Sequence, residues 1–255
     1  MNTSLFLKNA RLSGFLVQPG ESLEAFSIRY KKHQNLNSEL LDYFQKEKIQ
    51  RIEYENKTLR INTFFYQKIA SEELFIWEGG GIWEYEIQDF NFSVIELNKR
   101  WDRLQKEIIE HEMIHQLRQG FNQPIFEEYI AYYLSSSKVR AYFGPIFHNS
   151  KEPIFLMIIT IMGAFSIAYF ESFWVLLGLL LVIVFFLLRV IFNQRIFRKA
   201  ENNIKKIFPK LIPINILISL TDEEIKKFSS FSLDETLNYI SLARCPRWQQ
   251  IKSLV

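Results

Sequence analysis

The spacing of apolar residues changes along the first hundred positions of the chain. Between residues 22 and 50 they recur every three or four positions, which predicts two short helices separated by a polar break at 35–37. Short runs of aromatic and β-branched residues follow, divided by polar residues or glycine. They predict strands at 51–55, 58–67, 73–78, 81–87 and 90–97. We expect a small antiparallel sheet with an exposed edge between residues 81 and 97.

Helical spacing returns after the strands. One face of this predicted helix carries five side chains at steps of three and four: Trp101, Leu104, Ile108, His111 and His115. Since such a face turns towards the core, the two histidines would project together, one turn apart, where both can bind one cation. Glu112 lies between them in an H-E-x-x-H motif and is placed to act on a metal-activated water as a base.

A catalytic zinc site needs a third protein ligand and one open coordination position. Gly120 is predicted to end the histidine helix, and a turn with proline at 122–124 precedes a second helix at 126–134. Glu127 and Glu128 both lie at the start of that helix. Helical periodicity alone leaves either glutamate open as the third ligand.

Residues 98–135 resemble the gluzincin metallopeptidases, in which a glutamate on the helix after H-E-x-x-H is the third zinc ligand. That helix often carries an aromatic residue two positions before the ligand, alanine three positions after it and tyrosine five positions after it. The chain matches this pattern in register with Phe126, Glu128, Ala131 and Tyr133. The resemblance implies a zincin-like fold and favours Glu128 over Glu127 as the third ligand.

The same resemblance implies a set of roles for the site. His111, His115 and Glu128 would bind Zn²⁺, and Glu112 would be the general base. The chain departs from the family in two respects. Tyr129 stands where a glycine usually follows the ligand glutamate, and the gap between the second histidine and that glutamate is shorter than in the large gluzincin enzymes.

Four further residues are candidates for binding the substrate or its oxyanion. The spacing from Gly81 to Glu84 is similar to the glycine-x-x-Glu part of the aminopeptidase exopeptidase motif, whose glutamate holds the substrate amino group. Tyr142 and His148, with Arg140, follow the second helix, where zincins commonly place an oxyanion-stabilising side chain. The alternative for each of these residues, which the sequence favours, is a turn or a surface position.

Two apolar segments follow, at 153–170 and 173–192. Each is long enough to cross a hydrocarbon core of ~30 Å as a helix, and two residues separate them, so we predict a transmembrane helical hairpin. A buried core hairpin is the alternative. Lysine and arginine occur on both flanks but not at the tip, which predicts that the N- and C-terminal parts are both cytoplasmic.

The C-terminal part, 194–255, contains two pairs typical of capping boxes, Thr221 with Glu224 and Ser232 with Glu235. They predict two helices in a small module. Four apolar side chains are expected to face its interior: Ile225, Phe228, Leu237 and Ile240. The predicted organisation is therefore a zincin-like domain at 1–150, the membrane hairpin at 153–192 and a cytoplasmic helical tail at 194–255.

Composition narrows the choice of function. A formal net charge of +3 in 255 residues, without a basic run interleaved with aromatics, gives no reason to expect nucleic acid as a partner. A single cysteine, Cys245, excludes an internal disulfide and fits a reducing compartment. The 24 phenylalanines fit a chain that exposes apolar side chains to lipid.

These patterns together predict an α+β fold in which a small sheet and a metal-binding helical hairpin precede the membrane segments. The predicted function is that of a membrane-anchored, zinc-dependent peptidase that acts on a peptide or protein substrate beside the lipid bilayer. The alternative is a catalytically silent zincin-fold scaffold or regulatory protein. Tyr129 and the shortened spacing to Glu128 motivate that alternative.

Overall fold

The computed structural model describes residues 3–34, 43–69, 80–87, 90–148, 151–170 and 173–254. Within these ranges a small sheet accompanies many helices, which confirms the predicted α+β class. The helices are α1 (Thr3–Leu12), α2 (Leu23–Gln34), α3 (Gln105–Leu117), α4 (Glu127–Ala131), α5 (Lys138–Phe143), α6 (Lys151–Phe170), α7 (Phe173–Ile207), α8 (Ile214–Leu217), α9 (Asp222–Ser230), α10 (Leu233–Leu242) and α11 (Pro246–Lys252). The strands are β1 (Gln50–Asn56), β2 (Ile61–Ile69), β3 (Gly80–Ile87) and β4 (Phe90–Leu97).

The sheet has the strand order β1-β2-β4-β3 and is mixed, so the prediction of an antiparallel sheet is wrong. The β1–β2 and β3–β4 pairs are antiparallel, whereas β2 and β4 are parallel. The reason is that β4, rather than β3, lies beside β2. Because β3 occupies an edge of the described sheet, an edge strand does fall in the expected range. The predicted strand at 73–78 lies outside the described residues.

Strand alternation separates two apolar layers. Phe65, Ile95 and Leu97 pack with Met113 of α3, whereas Tyr66 and Val94 point to the other face of the sheet with Phe44. Helix α3 lies so close to β3 that a Cβ atom on Gly80 would come within 2.6 Å of Ile108 Cγ2. The histidine helix is thus fixed against the start of the edge strand.

The inward face of α3 is shorter than predicted. Trp101 belongs to a 3-10 segment, Lys99–Leu104, that precedes the α-helix, and its side chain is 37% exposed. The helix ends at Leu117, and Gly120 has a φ of +83°, which favours glycine because it lacks a Cβ atom. The turn that reverses the chain towards α4 follows this glycine.

One apolar core joins the hairpin of α3 and α4 to the C-terminal helices. Phe126 of the hairpin stacks against Phe197 of α7 at a ring-centroid distance of 6.2 Å, and Tyr129 packs against the same ring. This core also contains Ile225 and Trp248. The predicted domain boundaries stay predictions, but residues 194–255 and the hairpin share this core.

Both predicted capping boxes are present. The Thr221 and Ser232 side chains accept hydrogen bonds from the backbone N–H groups of Glu224 and Glu235, and each glutamate side chain accepts from its cap residue. Three of the four expected inward residues are buried: Ile225, Phe228 and Ile240. Leu237 is 48% exposed, so its predicted inward orientation is wrong.

Helices α6 and α7 contact each other and run antiparallel, since Glu152 binds Arg189 at one end and Gly163 lies against Val175 further along. Most large side chains on α6 and on the first half of α7 are exposed and apolar. Among the described residues, one helical stretch, Leu177–Ile207, is long and apolar enough to cross a membrane. A two-pass arrangement and the side on which the termini lie stay predictions.

Candidate metal centre

Helices α3 and α4 bring three ligand-type side chains together. His111 Nε2 and His115 Nε2 lie 3.2 Å apart, because residues four positions apart share one face of α3. On the first turn of α4, Glu128 Oε2 lies 3.5 Å from His111 Nε2, and Glu128 Oε1 lies 3.4 Å from His115 Nε2. These are the three residues predicted as metal ligands.

The closest separations between the two imidazole nitrogens and the Glu128 carboxylate group fit a tetrahedral cation. With bonds of about 2.0–2.1 Å in tetrahedral geometry, the ligands of one zinc ion lie about 3.3 Å from each other. The observed separations, 3.2 to 3.5 Å, bracket that value. Two imidazoles with one carboxylate also form a donor set that zinc accepts, so the residues present fit the ion implied by the motif.

Glu127 contacts the outer side of this cluster. One of its carboxylate oxygens lies 3.1 Å from His115 Nδ1, and the other accepts a hydrogen bond of 2.6 Å from Arg118 Nε. When Nδ1 donates to this carboxylate, the lone pair of His115 is on Nε2, the atom that faces His111 and Glu128. Glu127 is therefore placed to orient His115, while Glu128 is placed with the two histidines in the group that could hold a metal ion.

Arg118 connects Glu127 to the C-terminal part of the chain. Its side chain is fully buried, and its Nη1 donates to the backbone oxygens of Ile218, at 2.8 Å, and Leu220, at 3.1 Å. Hydrogen bonds to buried charged groups are among the stronger ones in proteins. The orientation of His115 thus depends on contacts about a hundred residues away in sequence.

A second long-range contact holds the beginning of α4. The Asp222 carboxylate accepts hydrogen bonds from the backbone N–H groups of Ile125, at 2.8 Å, and Phe126, at 3.1 Å. The backbone N–H of Asp222 in turn donates to the Gln123 side chain at 2.9 Å. These bonds satisfy N–H groups at a helix start, where no intrahelical acceptor is available. They fix the position from which Glu128 extends towards the histidines.

His111 is held by packing. Its ring centroid lies 4.4 Å from that of Tyr132, and its buried Nδ1 has no hydrogen-bond partner among the described residues. The difference between the two histidines is therefore clear. His115 is oriented through hydrogen bonds, whereas His111 is oriented by an aromatic side chain four residues beyond Glu128.

Burial and charge give the two histidines opposite proton affinities. Burial, aided by the charge of His115, lowers the pKa of His111 to about 3, so this ring keeps a lone pair over the neutral range. Burial also disfavours protonation of His115, but its bond to Glu127 and the nearby charge of Glu128 raise its pKa to about 9. The carboxylates of Glu127 and Glu128 therefore favour a positive charge at His115, whereas burial disfavours one at His111.

Glu112 has the electrostatic character of a proton acceptor in a partly dry site. Burial raises its pKa to about 7; the charge of His115 opposes the shift and that of Glu128 adds to it. Its side chain lines a cavity of about 200 Å³. The same cavity is lined by His111, Glu107, Glu110, Tyr132, Ser135, Arg140 and the start of β3 at Gly80.

The other predicted site residues lie away from this cavity wall. Glu84 accepts a hydrogen bond of 3.1 Å from Gln119 and lines a separate cavity of about 750 Å³ on the other side of α3. Tyr142 is 37% exposed and packs against Phe143. His148 lies beside Tyr129 at a ring distance of 6.4 Å. Of the oxyanion candidates, the structure brings Arg140 to the cavity.

No protein-family model, curated protein or solved structure matches this chain. The functional interpretation consequently depends on the side chains of the site and on their geometry.

Sequence reasoning missed two residues that shape the site. Tyr132 lies four positions after Glu128, and this helical spacing was a usable signal that both point to the histidines. Arg118 carried no such signal, because a basic residue in the last turn of a helix usually faces solvent. Its burial follows from a tertiary contact with the carbonyls of residues 218 and 220.

Proposed function

We propose that this protein is a membrane-anchored, zinc-dependent peptidase of gluzincin type. The observation that supports it best is the mutual spacing of His111, His115 and Glu128, at 3.2 to 3.5 Å, beside a cavity lined by Glu112. An H-E-x-x-H glutamate with a raised pKa in a half-buried cavity is suited to proton transfer in hydrolysis.

In the proposed hydrolysis the zinc ion and the protein side chains have separate functions. Zinc held by His111, His115 and Glu128 would supply Lewis acidity, which polarises a carbonyl group and lowers the pKa of a water molecule. Glu112 accepts the proton that this water loses as its oxygen attacks the peptide carbonyl carbon. Glu112 then donates the proton to the amide nitrogen as the C–N bond breaks, so one carboxylate serves both transfers.

The position of the edge strand supports a polypeptide substrate. β3 begins at Gly80, which lines the cavity, and it lies at an edge of the described sheet. An extended peptide can add to such an edge through main-chain hydrogen bonds. A peptide paired with β3 would run past the cavity at which Glu112 and the metal ligands meet.

Helices α6 and α7 are the proposed anchor. Their exposed apolar side chains, Phe155, Met162, Leu181 and Phe185 among them, would contact lipid, and the two helices would cross the bilayer as a hairpin. Basic residues lie before α6 and after the apolar part of α7, whereas the tip that connects the two helices has none. By the positive-inside rule the metal centre would then lie on the cytoplasmic face.

Replacing Glu112 tests the hydrolytic role. Glu112→Gln should retain zinc, because its carboxylate is not among the three closely spaced ligand groups, and should lower peptide turnover by about 10²- to 10⁴-fold. His115→Ala should lose both zinc and turnover. If zinc binds but a broad peptide library is cleaved by neither the parent nor the variant, the scaffold alternative is favoured. Cleavage by Glu112→Gln at the parent rate would contradict the mechanism.

A further inference from the structure

Helix α5 carries an exposed apolar face directly after the metal-binding hairpin. Val139, Tyr142 and Phe143 are 68%, 37% and 47% exposed, and their spacing of three and four residues places them on one side of the helix. The neighbouring Arg140 lines the metal cavity. One short helix therefore joins the rim of the cavity to an uncovered apolar surface.

The loop after α5 contacts α7 close to the position where the uncharged part of that helix ends. Arg189, which follows a run of uncharged residues in α7, donates 2.7 Å hydrogen bonds to the backbone oxygen of Ile146 and to Glu152 at the start of α6. Phe147 packs against Phe186, one turn deeper in α7, at 5.8 Å. This loop thus lies at the level where the helices pass from apolar to polar.

Distance along the chain places α5 at the same level. Three peptide units separate Phe143 from Ile146, so their Cα atoms lie within about 11 Å of each other. The exposed side chains at the start of α6, Ile154, Phe155 and Ile158, continue the apolar surface beyond Glu152. Exposed Lys138 begins α5, and basic and tyrosine side chains are favoured at the headgroup level of a bilayer.

We infer that α5 lies in the headgroup region of the bilayer, with Val139, Tyr142 and Phe143 inserted among the lipids. In this position α5 holds the rim of the metal cavity at the membrane surface. The polypeptide that reaches the cavity is then a stretch adjacent to a membrane segment or lipid anchor. The placement of α5 in the headgroup region depends on the proposed membrane anchor. The inferred substrate class depends on that anchor and also on the proposed hydrolysis.

Quenching by lipid measures the position of α5 without using activity. The single cysteine, Cys245, is replaced by serine, and a fluorophore is attached at Phe143→Cys in the full chain reconstituted into phosphatidylcholine and phosphatidylglycerol vesicles. Leu181→Cys, in the apolar part of α7, is the lipid-exposed reference. Nitroxide groups are placed on the lipid chains close to the headgroup.

Ser230→Cys is the reference in water. The Asn203 side chain donates to the backbone oxygens of Phe228 and Phe231, so Ser230 lies near the level of Asn203. Fourteen residues of helix place that level about 21 Å beyond Arg189. Residue 181 lies about 12 Å deeper along α7 than Arg189. We therefore expect these shallow nitroxides to quench at 143 at least as strongly as at 181, and little at 230.

Three outcomes would contradict the placement of α5 in the headgroup region. They are quenching at 143 no greater than at 230, absence of quenching at 181, and disulfide-linked dimers of unlabelled Phe143→Cys, which would show that a second copy covers this face.

Cleavage assays test the substrate class. The parent should cleave a peptide anchored by an acyl chain faster than the same peptide free in solution. Val139→Ser with Phe143→Ser should lose this preference but keep the rate on the free peptide, and Ile28→Ser, which removes another exposed apolar side chain, should keep both. Equal parent rates on the two peptides would show the substrate class to be wrong. If neither peptide is cleaved but the fluorophore at residue 143 is quenched, the proposed hydrolysis is contradicted while the membrane placement of α5 is still supported.

Discussion

Adjacent glutamates at 127 and 128 make different contacts because the first turn of α4 points them in different directions. Glu128 faces both Nε2 atoms of the histidine pair, while Glu127 binds His115 Nδ1 and Arg118. A carboxylate on the far nitrogen of a ligand histidine fixes its tautomer and raises its basicity. The proposed distinction between ligand and orienting residue therefore comes from position on the helix, since the side chains are chemically identical.

Removing Glu127 should weaken metal binding without abolishing it. We predict that Glu127→Ala lowers zinc affinity by about 10- to 100-fold, the usual cost of losing a residue that orients a ligand histidine. Competition with a chromophoric chelator measures this affinity. Glu223→Ala removes an exposed carboxylate from α9 and should leave affinity unchanged. A loss of zinc as complete as in Glu128→Ala would instead identify Glu127 as a ligand.

At the residue scale, the part of the site that depends on local helical spacing could be predicted from the sequence. The spacing in HEMIH and the register of Phe126, Glu128 and Ala131 predicted which three side chains the structure brings within ligand distance of each other. Arg118 could not be predicted, because its acceptors lie about a hundred residues later in the chain. The directions of the oxyanion candidates were equally open, since the sequence around them has no clear apolar period, although Arg140 and Tyr142 lie in the short helix α5.

At the scale of secondary-structure elements, the C-terminal helices hold the metal hairpin in place through buried polar contacts. Glu224 accepts two 2.7 Å hydrogen bonds from Arg247 and one of 2.7 Å from Trp248 Nε1. Burial opposes its charged form, but these donors lower its pKa below the ordinary 4.5. This ion pair fastens α11 to the start of α9, where Asp222 reaches across to α4.

The Glu224 contacts should make the protein sensitive to acid. A carboxyl group whose folded pKa lies below its unfolded pKa contributes stability above the unfolded value, and that contribution is lost as pH falls through the folded value. Glu224→Gln should cost about 3 kcal/mol at pH 7, since it breaks a buried ion pair. The melting temperature in detergent should fall accordingly, and the variant should lose less than the parent on acidification below 4.5.

Glu235→Gln is the control for that measurement, because its carboxylate caps an exposed helix start and has no buried cation as partner. A melting temperature for Glu224→Gln equal to that of Glu235→Gln at pH 7 would contradict the structural role of the pair.

Elements were predictable where local signals exist. The capping pairs at Thr221 and Ser232 predicted two helix starts correctly, because a cap is made by residues three positions apart. The pairing of β2 with β4 was not predictable in this way, because it depends on which strand reaches the place beside β2. Leu237 shows the same limit: periodicity predicted a face for α10, but tertiary packing determined which part of that face is covered.

At the scale of the whole molecule, α7 links the apolar surface to the metal centre. This helix has 35 residues and is about 52 Å long, and its two halves differ in environment. Phe185 and Leu188 in the first half are exposed, whereas Phe197 and Ile204 in the second half are buried in the core that contains the hairpin. A continuous helix of this kind would hold the site at a constant height above a bilayer.

Accessibility of two cysteines tests the predicted topology. Cys245 is exposed in the C-terminal part, and Asn9→Cys in a Cys245→Ser background introduces an exposed site in α1. If both soluble parts are cytoplasmic, a membrane-impermeant maleimide should label neither site in intact cells and both in inverted vesicles. Labelling of either site in intact cells would contradict the cytoplasmic placement of the termini, and labelling of one site but not the other would contradict the two-pass arrangement. Extraction of the chain by alkaline carbonate would contradict anchoring itself.

Zinc content is the measurement that tests the central claim most directly. The full chain, purified in detergent without chelators and loaded with zinc, should retain one ion per molecule after desalting, as measured by mass spectrometry of the elements. Glu112→Gln should retain the same amount, whereas His115→Ala and Glu128→Ala should lose it. Equal zinc in the parent, His115→Ala and Glu128→Ala, or no retained zinc in the parent, would contradict a metal site at these three residues.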